Sequence, residues 1–213
     1  MVVDDEPGLC DLVEVTLKKG SHEVLVSFSG EEAIKRLEKE KPDLVLLDIG
    51  LPCSDGWEVL KQMSAKNTIK DIPVAMLTNE ELTLTKILKK DLDNLVGYIE
   101  KPFSPEELLR TVEDILQRIE KVYRIKKRIE RSPSGGEALS RAYLAWSRTQ
   151  MIHERLLEKL KQLKTRCYEV QKRSRIESLI ADEKQTVERS KIKKEEIMNS
   201  AGIRAPNPKS SKL

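Results

Sequence analysis

The sequence predicts an α/β fold with a parallel sheet in its first part and an all-helical second part. Three observations carry this. Short runs rich in Val, Ile and Leu alternate with amphipathic stretches up to about residue 117. The sequence from Glu137 to Ala201 then holds 65 residues without Gly or Pro. The charge divides at the same place: residues 1–117 carry 14 Lys+Arg against 24 Asp+Glu, and residues 118–213 carry 25 against 12. Such asymmetry points to two parts with different partners.

The strands come first. "MVV" precedes Asp4, "HEVLVSFS" follows Gly20, "DLVLL" follows Pro42, "PVAMLT" follows Ile72 and "GYI" follows Val96. The chain opens directly on Met1, so the first strand is expected to be short or to lack a few upstream residues. Helical faces lie between the strands: Leu9, Leu12, Val13 and Leu17; Ala33, Ile34 and Leu37; Trp57, Leu60 and Met63 after Asp55-Gly56; Leu84, Ile87 and Leu88. A fifth face, Leu108, Leu109, Val112, Ile115 and Leu116, is opened by Ser104-Pro105-Glu106 as cap and first turn. The order is (βα)5. Buried strands alternating with helices give a parallel sheet covered on both sides, with right-handed crossovers.

No Gly or Pro interrupts Glu106 to Ser132, so the fifth helix is expected to run past the domain until "SPSGG" stops it. The expected organisation is a domain over 1–120, a basic helix extension and linker over 121–136, a long charged helical region over 137–200 and a disordered tail over 201–213. Heptad positions counted from Leu139 read Leu139, Ala142, Trp146, Thr149, His153, Leu156, Leu160, Leu163, Cys167 and Val170. A coiled-coil dimer and an intrachain helical hairpin both fit this pattern.

Composition narrows the function. Aromatic residues are 4%, too few for a base-stacking surface. Three dispersed cysteines and two histidines form neither a zinc motif nor a disulfide framework. No apolar run is long enough to span a bilayer and no leader pattern opens the chain, so a cytoplasmic protein without a membrane partner is expected.

Function in such a sheet collects at the carboxyl ends of the strands. Those ends carry Asp4-Asp5, Asp48, Thr78 and, after the fifth strand, Lys101-Pro102. Each alone has an ordinary reading: a helix cap, a strand-end hydroxyl, a solvated lysine. Together, three carboxylates repel one another unless a cation joins them. An oxygen-only donor set favours a hard ion, Mg²⁺. One carboxylate can then act as a nucleophile toward phosphorus, with the lysine and hydroxyl supporting the transferred group.

Four motifs, "VVDDEP" at 2–7, "LVLLDIGLPCSDGWEVL" at 44–60, "PVAMLT" at 73–78 and "GYIEKPF" at 97–103, resemble those of two-component response regulator receiver domains. The resemblance covers about residues 1–120. It implies a flavodoxin-like sheet of order 2-1-3-4-5 and a sensor histidine kinase as partner. It makes Asp48 the phosphoacceptor. Asp5 and Asp48 would ligate Mg²⁺ directly, Asp4 through water, and the Gly50 carbonyl would add a ligand. Thr78 would be the switch hydroxyl, Lys101 the phosphate partner and Tyr98 the switch aromatic, with a cis Lys101–Pro102 bond. Gly50 and Glu80 stand where side chains influence the lifetime of the phosphoaspartate. Family knowledge places output near the fourth helix, and the segment before the fifth strand departs from the usual small-Gly turn.

The expected function is thus a phosphoacceptor signalling protein, not an enzyme acting on other substrates. Its helical C-terminal part would assemble with itself or with a partner protein. The alternative is a transcriptional regulator whose basic helical half binds DNA, although no helix-turn-helix pattern with its tight turn occurs between Glu137 and Ala201. A phosphate relay without output is a third reading.

Overall fold

The computed structural model describes residues 1–52, 55–79, 94–166, 168 and 170–203, with backbone alone at Gln171. These residues form two compact units, Met1–Ile119 and Glu120–Leu213.

The first unit is a five-stranded parallel sheet of order β2-β1-β3-β4-β5, as expected. Its strands are β1 (Val2–Val3), β2 (Val26–Ser27), β3 (Val45–Asp48), β4 (Val74–Thr78) and β5 (Leu95–Glu100). β1, β3 and β4 are buried throughout, because both sheet faces are covered. Their continuous Val/Leu runs follow from that. Only Val26–Ser27 of the run "HEVLVSFS" pairs as strand, because the neighbouring β1 offers only Val2 and Val3 for the ladder.

The helices are α1 (Pro7–Lys19), α2 (Gly30–Glu40), α3 (Gly56–Ala65) and α4 (Pro105–Arg131). Their starts are chemically marked. Pro7 opens α1 where its missing N–H costs nothing. The Ser29 hydroxyl accepts from the Glu32 amide at the head of α2, and Asp55 accepts from the Trp57 amide at the head of α3. At α4 the Ser104 hydroxyl accepts from the Glu107 amide, while the Glu107 carboxylate accepts from the Ser104 amide. This reciprocal box holds the Glu107 carboxyl below its usual range. α1 buries Cys10, Val13, Thr16 and Leu17, leaving Leu12 40% exposed, so the expected face is rotated. The predicted helix around Leu84, Ile87 and Leu88 lies outside the described residues, as do Cys53, Glu80 and Cys167.

α4 continues beyond Ile119, as expected, and its last turns belong to the second unit. That unit adds α5 (Glu137–Arg166) and α6 (Val170–Ser200). Its core gathers Ile129, Tyr143, Ile197, Met198, Ala201 and Ile203, flanked by Val122, Ile125 and Trp146. Between α4 and α5, a Cβ on Gly135 would lie 1.8 Å from the Ile129 carbonyl oxygen, so only glycine fits that turn.

α5 and α6 form an antiparallel intrachain hairpin. The pairs Lys164–Glu177 at 2.8 Å, His153–Glu183 at 2.5 Å and Lys194–Gln150 at 2.9 Å step in opposite directions along the two helices. The heptad frame from Leu139 is displaced. The buried side of α5 is Ser140, Tyr143, Leu144, Ser147, Arg148, Met151, Ile152, Leu156 and Leu160. Its N-terminal half meets both α4 and α6, so a broad face is buried rather than a narrow seam.

Disorder from residue 201 is also corrected at its start. Ala201 and Ile203 are buried. Gly202 takes φ +67°, the Ile203 amide donates to the Met198 carbonyl at 2.8 Å, and the Gly202 amide donates to the Asn199 carbonyl at 2.9 Å. This is a glycine-closed helix end with an apolar residue folded back onto the last turn. Among the described residues, no helix is long and apolar enough to cross a membrane.

Candidate functional site

The sheet register builds the site. Val3 pairs with Leu47, so Asp4 and Asp48 emerge side by side one residue later. Asp48 pairs with Leu77, and Thr78 with Glu100, which brings the ends of β4 and β5 to the same edge. The Lys101 amide then donates to the Thr78 carbonyl at 2.7 Å. Parallel strands alone thus deliver four of the predicted residues to one place.

Lys101 joins the two carboxylates. Its Nζ donates to Asp4 Oδ2 and to Asp48 Oδ1, both at 2.7 Å. Asp4, Asp48 and Thr78 are buried, and the lysine side chain is only 11% exposed. Burial alone would lower the lysine pKa. The hydrogen bonds and charges of Asp4 and Asp48 outweigh it and raise the group above its usual value.

The remaining carboxylate oxygens are held by backbone. Asp4 Oδ1 accepts from the Glu6 amide at 3.0 Å, and Asp48 Oδ2 accepts from the Gly50 amide at 2.7 Å. A Cβ on Gly50 would lie 3.2 Å from Asp48 Oδ2, a tight approach beside the carboxylate. Asp5 stands exposed on the turn after β1. The Lys101–Pro102 peptide is cis, as expected. Tyr98 is buried in β5 opposite Met76.

Two contributors escaped the sequence reading. Gly56 begins α3 beneath Asp48, and a Cβ there would lie 2.1 Å from the Asp48 carbonyl oxygen. The dipeptide Asp55-Gly56 signals the helix start, but nothing local signals that approach. Cys10 donates its thiol to the Asp4 carbonyl at 3.4 Å, and burial followed by the neighbouring Asp4 and Asp11 charges pushes its pKa up to about 11.

The donor set suits a hard cation. Among the described residues no three of His, Cys, Asp and Glu are gathered into a ready metal cluster. Mg²⁺ needs only one or two carboxylates and keeps several waters, so adjacent Asp4 and Asp48, with Asp5 beside them, fit its requirements. The chemistry available is a buried carboxylate positioned by two hydrogen bonds, next to an ammonium able to meet incoming negative charge.

Comparison with known proteins agrees with this geometry. The family model described as the response regulator receiver domain matches residues 1–113. The alkaline phosphatase synthesis transcriptional regulatory protein PhoP of Bacillus subtilis (strain 168) is 40% identical over 120 residues, covering 56% of this chain and 49% of the relative. The chain therefore spans about half the length of that curated relative. The chemotaxis response regulator CheY4 of Vibrio cholerae is similar in structure with a TM-score of 0.50 and 31% identity, covering 54% of this chain and 94% of its own. NtrX of Brucella abortus gives a TM-score of 0.54 at 27% identity, covering 65% of this chain and 31% of its own. With the carboxylates, the lysine and the strand-end threonine all in register, the chain belongs to the response regulator receiver domain family through its N-terminal half.

Proposed function

We propose that Asp48 accepts a phosphoryl group from the phosphohistidine of a sensor histidine kinase, and that this event changes protein–protein contacts made by the helical C-terminal region. The observation that carries the reading is the Lys101 bridge between Asp4 and Asp48. In the transfer, an Asp48 oxygen bonds to phosphorus as the P–N bond breaks. The electron pair leaves with the imidazole. The Lys101 ammonium beside the attacking oxygen is placed to meet the negative charge of the incoming phosphoryl group.

Lys101 is placed to exchange a carboxylate oxygen for a phosphoryl oxygen. Thr78 would donate its hydroxyl to the same group, and Tyr98 would follow the threonine. Phosphorylation adds roughly −1.5 to −2 charges, so contacts present in one state only shift the population toward it. Asp4, Asp5, Asp48 and the Gly50 carbonyl would hold Mg²⁺, which would supply positive charge to the phosphoryl oxygens. The chain acts in this scheme as a phosphoacceptor, with its own dephosphorylation as the only turnover.

The test is intact-protein mass after acetyl phosphate with Mg²⁺, on the wild type and Asp48→Asn. One added phosphoryl group on the wild type alone is expected. Equal addition to both, or no Mg²⁺-dependent addition to folded wild type, overturns the assignment. Sedimentation in both states addresses assembly: a monomer at every concentration, phosphorylated or not, rules out self-association.

The second reading, nucleic-acid contact by the basic half, draws support from one surface of α4. The PhoP relative is titled a transcriptional regulator, but only 49% of its length is matched here.

A further inference from the structure

The exposed residues between positions 121 and 131 of α4 are Lys121, Arg124, Lys127, Arg128, Glu130 and Arg131. Five of the six are cations. Lys121, Arg124, Arg128 and Arg131 follow one another at spacings of three and four, so they lie in one row of about 15 Å. The opposite side of these turns is committed: Val122, Ile125 and Ile129 pack into the core of the second unit.

The row is only lightly neutralised. Some helix-surface cations of this chain pair with acids three or four residues away, as Lys18 does with Glu14, Arg36 with Glu32 and Glu40, Arg141 with Glu137 and Lys193 with Glu196, while others such as Lys35, Lys39 and Lys61 stand singly; what sets this row apart is that its cations are contiguous. On α4, Arg124 has Glu120, and Glu130 is taken by Lys126. Lys121, Arg128 and Arg131 form no ion pair among the described residues. The neighbours of Arg128 one turn away on this row are Arg124 and Arg131, so the row concentrates positive charge. Arg128 and Arg131 also lie in the last turn, where the helix dipole favours cations.

The chemistry of the row excludes several partners. It has no apolar residue to enter a lipid interface. It has no aromatic ring on which unpaired bases would stack. With no apolar or aromatic residue among its exposed positions, the row offers no hydrophobic centre for a protein interface. A regular row of cations instead matches the regular charge of a phosphate backbone.

We propose that Lys121, Arg124, Arg128 and Arg131 form a docking row for the phosphate backbone of duplex nucleic acid, held without base readout. The proposal does not depend on phosphorylation of Asp48, and its test uses the unphosphorylated full chain. The probe is a fluorescein-labelled 20-base-pair DNA duplex of arbitrary sequence, followed by anisotropy between 50 and 200 mM salt. For about four phosphates engaged, log K falls with log salt at a slope near −3.6, so affinity drops about 150-fold over that range.

The variant Lys121→Gln/Arg128→Gln/Arg131→Gln should bring the slope to about −1. The charge-matched variant Arg175→Gln/Lys184→Gln/Lys191→Gln, at exposed positions of α6, should leave it near the wild-type value. All six positions are exposed, and unchanged helical circular dichroism confirms folding. Absence of binding at 50 mM salt overturns the proposal. So do equal slopes for the two triple variants, which would make net charge the only determinant. Poly-glutamate competing as well as duplex, charge for charge, would reassign the row to an acidic protein.

Discussion

Gly56→Ala isolates the contact that seats the end of β3 on α3. The added Cβ would stand 2.1 Å from the Asp48 carbonyl oxygen and 3.0 Å from both the Asp48 carbonyl carbon and Ile49 Cα. An unforced C···O approach is about 3.3 Å, so the helix must withdraw by roughly 1 Å. All three atoms are backbone, so no rotamer change relieves the clash. Withdrawal also loosens Val59, Leu60 and Met63, which α3 buries against the core. Overpacking of this kind costs about 1–3 kcal/mol, and the lack of any yielding atom puts this case at about 3. Gly8→Ala is the control, because nothing lies within 4 Å of a Cβ there and the site is helical; it should be neutral or stabilising by up to about 0.5 kcal/mol. Urea unfolding read by Trp57 fluorescence, in a Trp146→Phe background, measures both. Gly56→Ala should lower the midpoint by about 1 M or more, given urea slopes of about 1–3 kcal/mol/M. A shift under about 0.3 M, or an equal loss for Gly8→Ala, would refute the argument.

Lys101→Met leaves Asp4 and Asp48 buried without their shared cation, and should cost about 2–4 kcal/mol in EDTA by denaturant unfolding, with part recovered in Mg²⁺. The folded pKa of Lys101 is raised, so its contribution is complete below the unfolded value and fades as pH climbs through the folded one. The gap between wild type and Lys101→Met should therefore narrow in strongly alkaline buffer; a gap independent of pH would contradict the ion bridge. Cys10, buried and with its pKa near 11, should resist iodoacetamide at pH 8 in the folded protein and react in urea, as read by mass after peptide mapping. Gly202→Ala places a Cβ at φ +67° and should cost about 1 kcal/mol in the second unit; amide exchange at Ile203 and Met198 would accelerate, and unchanged exchange would count against the helix-end role.

The site was legible because parallel register turns sequence position into proximity. Asp4 and Lys101 follow β1 and β5, Asp48 and Thr78 end β3 and β4, and strand ends on one edge of such a sheet must meet. The approach of Gly56 to Asp48 was not legible, since it depends on how closely α3 returns to β3. The hairpin between α5 and α6 carries no Gly or Pro at its turn, so 65 uninterrupted residues allowed a dimeric coiled coil and a hairpin equally. The buried face of α5 departs from the heptad frame because two helices, not one, cover its first half. At the C-terminal end, Ala201-Gly202-Ile203 had a readable signal: a glycine just past a helix, followed by an apolar residue. Its neighbours Pro206 and Pro208 drew the reading toward disorder instead.

The continuous α4 has a consequence for how the protein comes apart. Packing divides the chain between Ile119 and Glu120, yet that peptide bond lies inside a hydrogen-bonded helix. Proteases cleave extended backbone and pass over intact helical turns. A protease added to the native protein should therefore ignore the packing boundary and cut instead near exposed Pro133 and Ser134, the break between α4 and α5. The N-terminal product of that cut would carry the whole cationic row, and with it Val122, Ile125 and Ile129, so the nick would divide the core of the second unit rather than separate the two units cleanly.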